Sequence, residues 1–231
     1  MESKRREVFL TGGTGYIGTA LARELLQRGH LVRVLARPGS EHKVPAGCQV
    51  LHGDALRADT YAAQVAPADT LVHLVGVPHP NPKKAAQFRS IDLESCRQAL
   101  KAASVARVQH FIYLSVARPA PVMQEYQIVR AQGEALITES GIAATFVRPW
   151  YVLGPGHRWP ALLVPLYALA RIFPSTRAGA ERLALVTLEQ LTRTLIWAVE
   201  NPAPGIRALE PFHIRCGFGD PMIAQPRAAS A

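Results

Sequence analysis

Tyr126 and Arg130 have the types and spacing for proton chemistry on a carbonyl group. They stand four apart in "EYQIVRAQGE", so a helix would place them one turn apart on the same face. A tyrosine hydroxyl beside a fixed cation can give or take a proton as a carbonyl is reduced or an alcohol oxidised. The same pair is also an ordinary patch of helix surface, and the sequence leaves both readings open. The eight histidines make no H-x-x-x-H or comparable pair, so the pattern does not point to a metal site.

A second cluster concerns phosphate. In "VFLTGGTGYIGTALARELLQRGHLVRVLAR" a short apolar run is followed by Gly12, Gly13, Thr14, Gly15, Tyr16, Ile17 and Gly18, then by an amphipathic run and a second apolar one. The spacing G-x-x-G-x-x-G differs from the G-x-G-x-x-G fingerprint, but its physics carries over. Glycine lets the chain turn sharply after a strand, lets backbone approach a pyrophosphate, and lets the helix pack closely on the sheet. The helix N-terminus then offers unsatisfied N–H groups and the positive end of its dipole. A dinucleotide is the expected ligand.

The end of the second strand bears on which one. A site preferring NAD(H) would carry a carboxylate there for the ribose hydroxyl, whereas this chain has "LARPGS", with Arg37 and no acid before Glu41. Arginine's planar fork suits a 2′-phosphate, with Ser40 and Lys43 at hand, so NADP(H) is favoured over NAD(H). The alternative is a solvated loop arginine. Asp54, with Ala55 beside it in "LHGDAL", either accepts from the adenine amino group or caps the turn that follows. Gly76 either makes room for cofactor or is a plain loop glycine.

These residues need a scaffold, and the apolar periodicity supplies one. Strands are expected at Val8–Thr11, Leu31–Ala36, Gln49–His52, Thr70–Leu74, His110–Leu114 and Ala144–Val147. Helices are expected near 16–28, 58–65, 84–105 and 124–139. Alternating strands and helices, with near-continuous apolar strands, predict an α/β fold: a doubly wound parallel sheet. After Arg148 the pattern changes. "RPWYVLGPGHRWP" reads as irregular, and Tyr151, His157, Arg158 and Trp159 in it either line a pocket or pack. The amphiphilic stretch 160–173 is too short to span a bilayer. It suits a packed helix, a lid or a membrane-surface contact. "LALV" reads as a short strand, and Thr187 with Gln190 as a capping box opening a helix that runs to about Glu200. The expected division is a dinucleotide-binding domain over 1–150, a small C-terminal α/β appendage over 151–222, and a frayed tail over 223–231.

Composition narrows the class. The chain has 231 residues, 48% of them hydrophobic, and a formal charge of +9. Its arginines are scattered rather than gathered on a face, so no nucleic-acid partner is expected, and an anionic dinucleotide suits the charge. Cys48, Cys96 and Cys216 are widely spaced and odd in number, which favours a reducing, cytoplasmic setting. No apolar leader precedes the first strand and no transmembrane segment is expected.

"TGGTGYIG", the "GD" after strand three, "YLSVA", the Tyr126 helix and "VRPWYVLGPG" occur in the order that resembles short-chain dehydrogenases/reductases. The closer likeness is to the extended or atypical branch: NmrA-like, epimerase/dehydratase-related and complex-I-accessory-like NAD(P)-binding proteins. The resemblance covers about residues 6–160. It implies a Rossmann fold and a catalytic set in which Ser115 orients the carbonyl, Tyr126 exchanges the proton, and Arg130 takes the place of a lysine. Arginine keeps the positive charge but does not readily give up a proton. The leading expectation is an oxidoreductase acting on a small carbonyl or alcohol. The alternatives are a catalytically silent sensor or assembly protein, and a sugar-nucleotide epimerase or dehydratase, which the short chain after Val147 disfavours.

Overall fold

Successive residues of a strand point to opposite faces, and here both faces are apolar. Val8 and Leu10 are buried with Leu21, Leu25, Val34 and Leu195 on one side, and Phe9 with Leu35, Leu71, Phe111 and Ala99 on the other. Only a sheet covered on both faces satisfies such strands. The computed structural model describes residues 5–155 and 182–217. Its elements are β1 (Glu7–Thr11), α1 (Tyr16–Gln27), β2 (Leu31–Ala36), β3 (Gln49–His52), β4 (Thr70–His73), α2 (Glu94–Ala106), β5 (His110–Leu114), α3 (Gln124–Glu139), β6 (Ala144–Val147), β7 (Val152–Leu153), β8 (Val186–Thr187), α4 (Leu188–Glu200), β9 (Ile206–Leu209) and α5 (Pro211–Cys216).

Seven strands pair in the order β3-β2-β1-β4-β5-β6-β9, every pair parallel. The chain first winds outward from β1 to β3, then returns to place β4 on the other side of β1. That reversal opens a crevice at the carboxyl ends of β1 and β4, the place where open α/β sheets bind ligands. The glycine loop follows β1 directly. The fold is therefore the doubly wound parallel sheet that the apolar rhythm predicts, and it is Rossmann-like as the resemblance implies.

The C-terminal part of the chain contributes to the main sheet. β9 pairs with β6, Val147 opposite Leu209, and α4 buries Leu191, Leu195 and Val199 in the same core layer as α1. α4 begins with the expected capping box: the Thr187 hydroxyl accepts from the Gln190 N–H at 3.1 Å and the Gln190 side chain from the Thr187 N–H at 2.9 Å. β7 and β8 form a separate two-stranded pair.

Two expected helices differ. In place of one over 58–65 the chain makes two 3-10 turns, Ala58–Thr60 and Ala62–Gln64, because Tyr61 lies between them at φ −145°. Its ring is buried and stacks on Phe9 with centroids 6.0 Å apart, and that contact outweighs local propensity. The run expected as one helix over 84–105 is a 3-10 turn, a single α turn at Ala85–Gln87, a π-helical segment Phe88–Leu93, and then α2. The π segment places the Asp92 carboxylate in the core, fully buried. The stretch 160–173, His157, Arg158, Trp159 and the tail 223–231 lie outside the described residues.

Candidate functional site

The site is built from the carboxyl end of β1 outward. Gly12 has φ +75°, a left-handed conformation that costs any residue with a Cβ. A Cβ there would also stand 2.8 Å from the Leu74 carbonyl carbon and 2.9 Å from the Val75 N. Gly18 is equally constrained, since a Cβ would strike the Gly12 carbonyl. The loop closes on itself through the Gly15 N–H, which donates to the Gly12 carbonyl at 3.0 Å. α1 then opens at Tyr16 with extended Gly15 as its N-cap and no side chain capping it. A helix N-terminus without a side-chain cap is the arrangement that a pyrophosphate site uses. Gly13 is buried against Val34, Thr14 is half-buried, and Ile17 packs into the core that α1 shares with β1. Tyr16 sits against Gly154, where a Cβ would collide with its hydroxyl.

On the β2 side, Arg37 is exposed directly after the strand, and no carboxylate pairs with it among the described residues. The nearby acid Glu41 is turned to His52 at 3.4 Å. Asp54 is engaged within its own turn. Its carboxylate accepts from the Leu56 N–H at 3.0 Å, and its own N–H donates to the Thr60 hydroxyl at 2.9 Å. The turn-capping role has its partner in place. Ala55 is half-buried against the core layer of Tyr61.

The β4 and β5 side carries the three residues with candidate catalytic chemistry, Tyr126 against Arg130 and Arg130 bonded to the residue before Ser115. Ser115 follows β5, its N–H donating to the Val147 carbonyl at 2.7 Å. Its hydroxyl is buried and has no hydrogen-bond partner among the described residues. A buried hydroxyl without a partner is costly unless a ligand supplies one. Tyr126 is half-buried on the first turn of α3, its ring edge-on to Phe88 at 5.1 Å. The Arg130 guanidinium carbon lies 5.1 Å from the Tyr126 ring centroid and 5.6 Å from that of Tyr113. Tyrosine and arginine thus share one face of α3, as their spacing predicts.

Arg130 is nevertheless a buried residue, only 3% exposed. One Nη donates to Asp92 Oδ1 at 2.7 Å and the other to the Leu114 carbonyl at 2.9 Å. Asp92 Oδ2 accepts from the Val77 N–H at 3.0 Å. Burial opposes both charges. It raises the Asp92 pKa, and in Arg130 it is outweighed by Tyr126, Tyr113 and Asp92, which hold the guanidinium well above its ordinary value. Gly76 belongs to this arrangement: a Cβ there would collide with an Arg130 Nη and lie 3.2 Å from Asp92 Oδ1. The missing side chain at position 76 makes room for the ion pair.

Sequence reasoning did not single out Asp92. The signal was its position one turn after Phe88 and one before Cys96, an acid on an apolar stripe, which demands a buried cation. His73 is also buried here, between the Thr11 hydroxyl at 2.7 Å and the Ser95 hydroxyl at 3.3 Å. Burial pushes its pKa down to about 3, so it is neutral and no proton donor near pH 7. Among the described residues no group of three or more His, Cys, Asp or Glu could hold a metal ion, and no helix is long and apolar enough to cross a membrane.

The model of a family described as NAD(P)H-binding matches residues 12–158. A ceramide reductase of Caulobacter vibrioides is 26% identical over 204 residues, which are 87% of this chain and 63% of that protein. A ketoreductase of Stigmatella aurantiaca, named for a farnesyl-dihydroquinoline oxide, is 29% identical over 168 residues, 63% of this chain and 50% of that one. The chain thus spans less than two thirds of either relative. Among solved structures, the Bordetella bronchiseptica enzyme WbmH in complex with NAD+ superposes with a TM-score of 0.67 at 19% identity, over 90% of this chain and 76% of that one, a likeness of fold.

Proposed function

Because the chain belongs to the NAD(P)H-binding family, within the short-chain dehydrogenase/reductase superfamily, we propose that it is an NADP(H)-dependent oxidoreductase acting on a carbonyl or the corresponding alcohol. One observation carries the reading. The glycine cradle with its uncapped helix N-terminus and the partnerless Ser115 hydroxyl both lie at the carboxyl end of the parallel sheet, the first after β1 and the second after β5. A nicotinamide held there supplies or accepts the hydride.

The chain's own groups do the rest. Backbone N–H groups of the loop and of α1 hold the pyrophosphate, and Arg37 pairs with the 2′-phosphate. Ser115 donates a hydrogen bond to the substrate oxygen and fixes its orientation. Tyr126 gives that oxygen a proton in reduction and takes it back in oxidation. Arg130 exchanges no proton with Tyr126 and acts on it by its charge and by lying against the ring. The names of the two relatives indicate hydrophobic keto or hydroxy compounds, so lipid and prenylated ketones head the substrate panel.

A second reading, a cofactor-binding protein without chemistry, is favoured by one specific fact. Both Arg130 Nη atoms are committed to protein acceptors, so neither is available as a ribose ligand or proton relay. Tyr126→Phe separates the readings. Turnover on the panel is expected to fall by about 10²–10⁴-fold with NADPH binding unchanged. NADPH binding without turnover of any ketone by the wild type would support the silent module, and turnover indifferent to Tyr126→Phe would overturn the role given to that residue.

Arg37→Ala addresses cofactor choice. NADPH affinity is expected to weaken about tenfold or more, at least about 1.4 kcal/mol, with NADH affinity held within about twofold. Equal losses for the two cofactors in a calorimetric titration would refute the pairing with the 2′-phosphate.

A further inference from the structure

We infer that Asp92 is a positioning residue for the nicotinamide half of the cofactor site, acting through Arg130. The inference rests on the cofactor reading above and adds a residue to it. The sheet order puts β1 and its phosphate loop in the middle, β2 with Arg37 on one side, and β4 and β5 on the other. If Arg37 takes the adenosine end, the reacting end lies over β4 and β5.

There the buried pair fastens two backbone segments to each other. Asp92 Oδ2 holds the Val77 N–H at 3.0 Å, in the loop after β4. Through Arg130, 2.7 Å away, the same carboxylate holds the Leu114 carbonyl, at 2.9 Å from the second Nη, immediately before Ser115. Gly76 lies between these contacts with no room for a side chain. The Tyr126 ring rests on the same guanidinium. One carboxylate therefore sets the loop after β4, the end of β5 and the ring of the proton donor. It is carried on a π-helical turn, an irregularity often found beside functional sites.

Among the described residues no hydrogen bond or ion pair joins the pair to β2, β3 or the loop after β1, so its loss should be felt by only one half of the ligand. Calorimetric titration with NADPH and with 2′-phospho-ADP-ribose, the same molecule without its nicotinamide, reads that difference. Asp92→Asn is expected to weaken NADPH at least about fivefold and to leave the nicotinamide-free ligand within about twofold. Because Asp92→Asn leaves the Arg130 charge buried and unpaired, the double variant Asp92→Asn/Arg130→Met guards against misfolding by removing both charges. It is expected to recover thermal stability yet keep the selective loss of NADPH.

Recovery of full NADPH affinity in the double variant would overturn the inference and leave the pair a purely structural device. Equal weakening of both ligands, or of neither, in a folded variant would overturn it as well. Wild-type protein that binds neither ligand would instead sink the cofactor reading on which the inference rests.

Discussion

Arg130→Met is expected to destabilise the protein by about 3–5 kcal/mol, the range for removing one partner of a buried ion pair. The reason lies less in the hydrogen bonds that disappear than in the charge that stays behind. Asp92 is fully buried, and its only cationic partner among the described residues is Arg130. Without the guanidinium the carboxylate must take up a proton or draw water into the core, and the Leu114 carbonyl loses its donor. A domain of this size commonly holds only ~5–15 kcal/mol in total, so the loss is a large fraction. Urea unfolding would show a lower midpoint at unchanged slope. Adding Asp92→Asn to the same background should return much of the stability. A loss below about 1 kcal/mol for the single variant would mean that the pair is not buried as described.

Gly12→Ala is expected to abolish tight dinucleotide binding, by on the order of 10²-fold or more, while the sheet still folds. Two penalties coincide at this position. The backbone at φ +75° strains any Cβ by roughly 1–2 kcal/mol. The new methyl would also meet backbone, not a movable side chain, at 2.8 Å on Leu74 and 2.9 Å on Val75. Relief requires the end of β1 to part from the end of β4, which opens the crevice that holds the pyrophosphate. Gly141→Ala is the matched control. It has φ +74° but open space within 4 Å, so it bears the strain alone and should bind NADPH as the wild type does. Circular dichroism with titration calorimetry checks both, and NADPH affinity within threefold of wild type in Gly12→Ala would show that the loop is not the phosphate cradle.

Much of the fold was legible because the signals were local. The inner strands are near-continuous apolar runs, α3 spans Gln124–Glu139 as its periodicity predicts, and Thr187 with Gln190 announces the start of α4. β9 was not anticipated, since an edge strand as mixed as "IRAL" gains its conformation from pairing with β6 rather than from its own pattern. The 58–65 helix failed for the same kind of reason: Tyr61 follows its contact with Phe9.

The site divides along the same line. The phosphate loop is a contiguous motif, and its backbone requirements can be read residue by residue. Tyr126 and Arg130 are neighbours on one helix, so their stacking was legible too. What Arg130 binds was not, because Asp92 is 38 residues away in the chain and meets it only across the core. That Gly76 makes room for the ion pair was likewise hidden until its neighbours in space were known. Charge retention at position 130 looked like the essential property. The geometry shows that the fork of the guanidinium matters as much, with one arm on a carboxylate and the other on a backbone carbonyl.

The most direct test is a calorimetric titration of the wild-type protein with NADPH and with NADH. The account predicts saturable binding near one equivalent, tighter for NADPH by about tenfold or more. Absence of binding to either cofactor would contradict it.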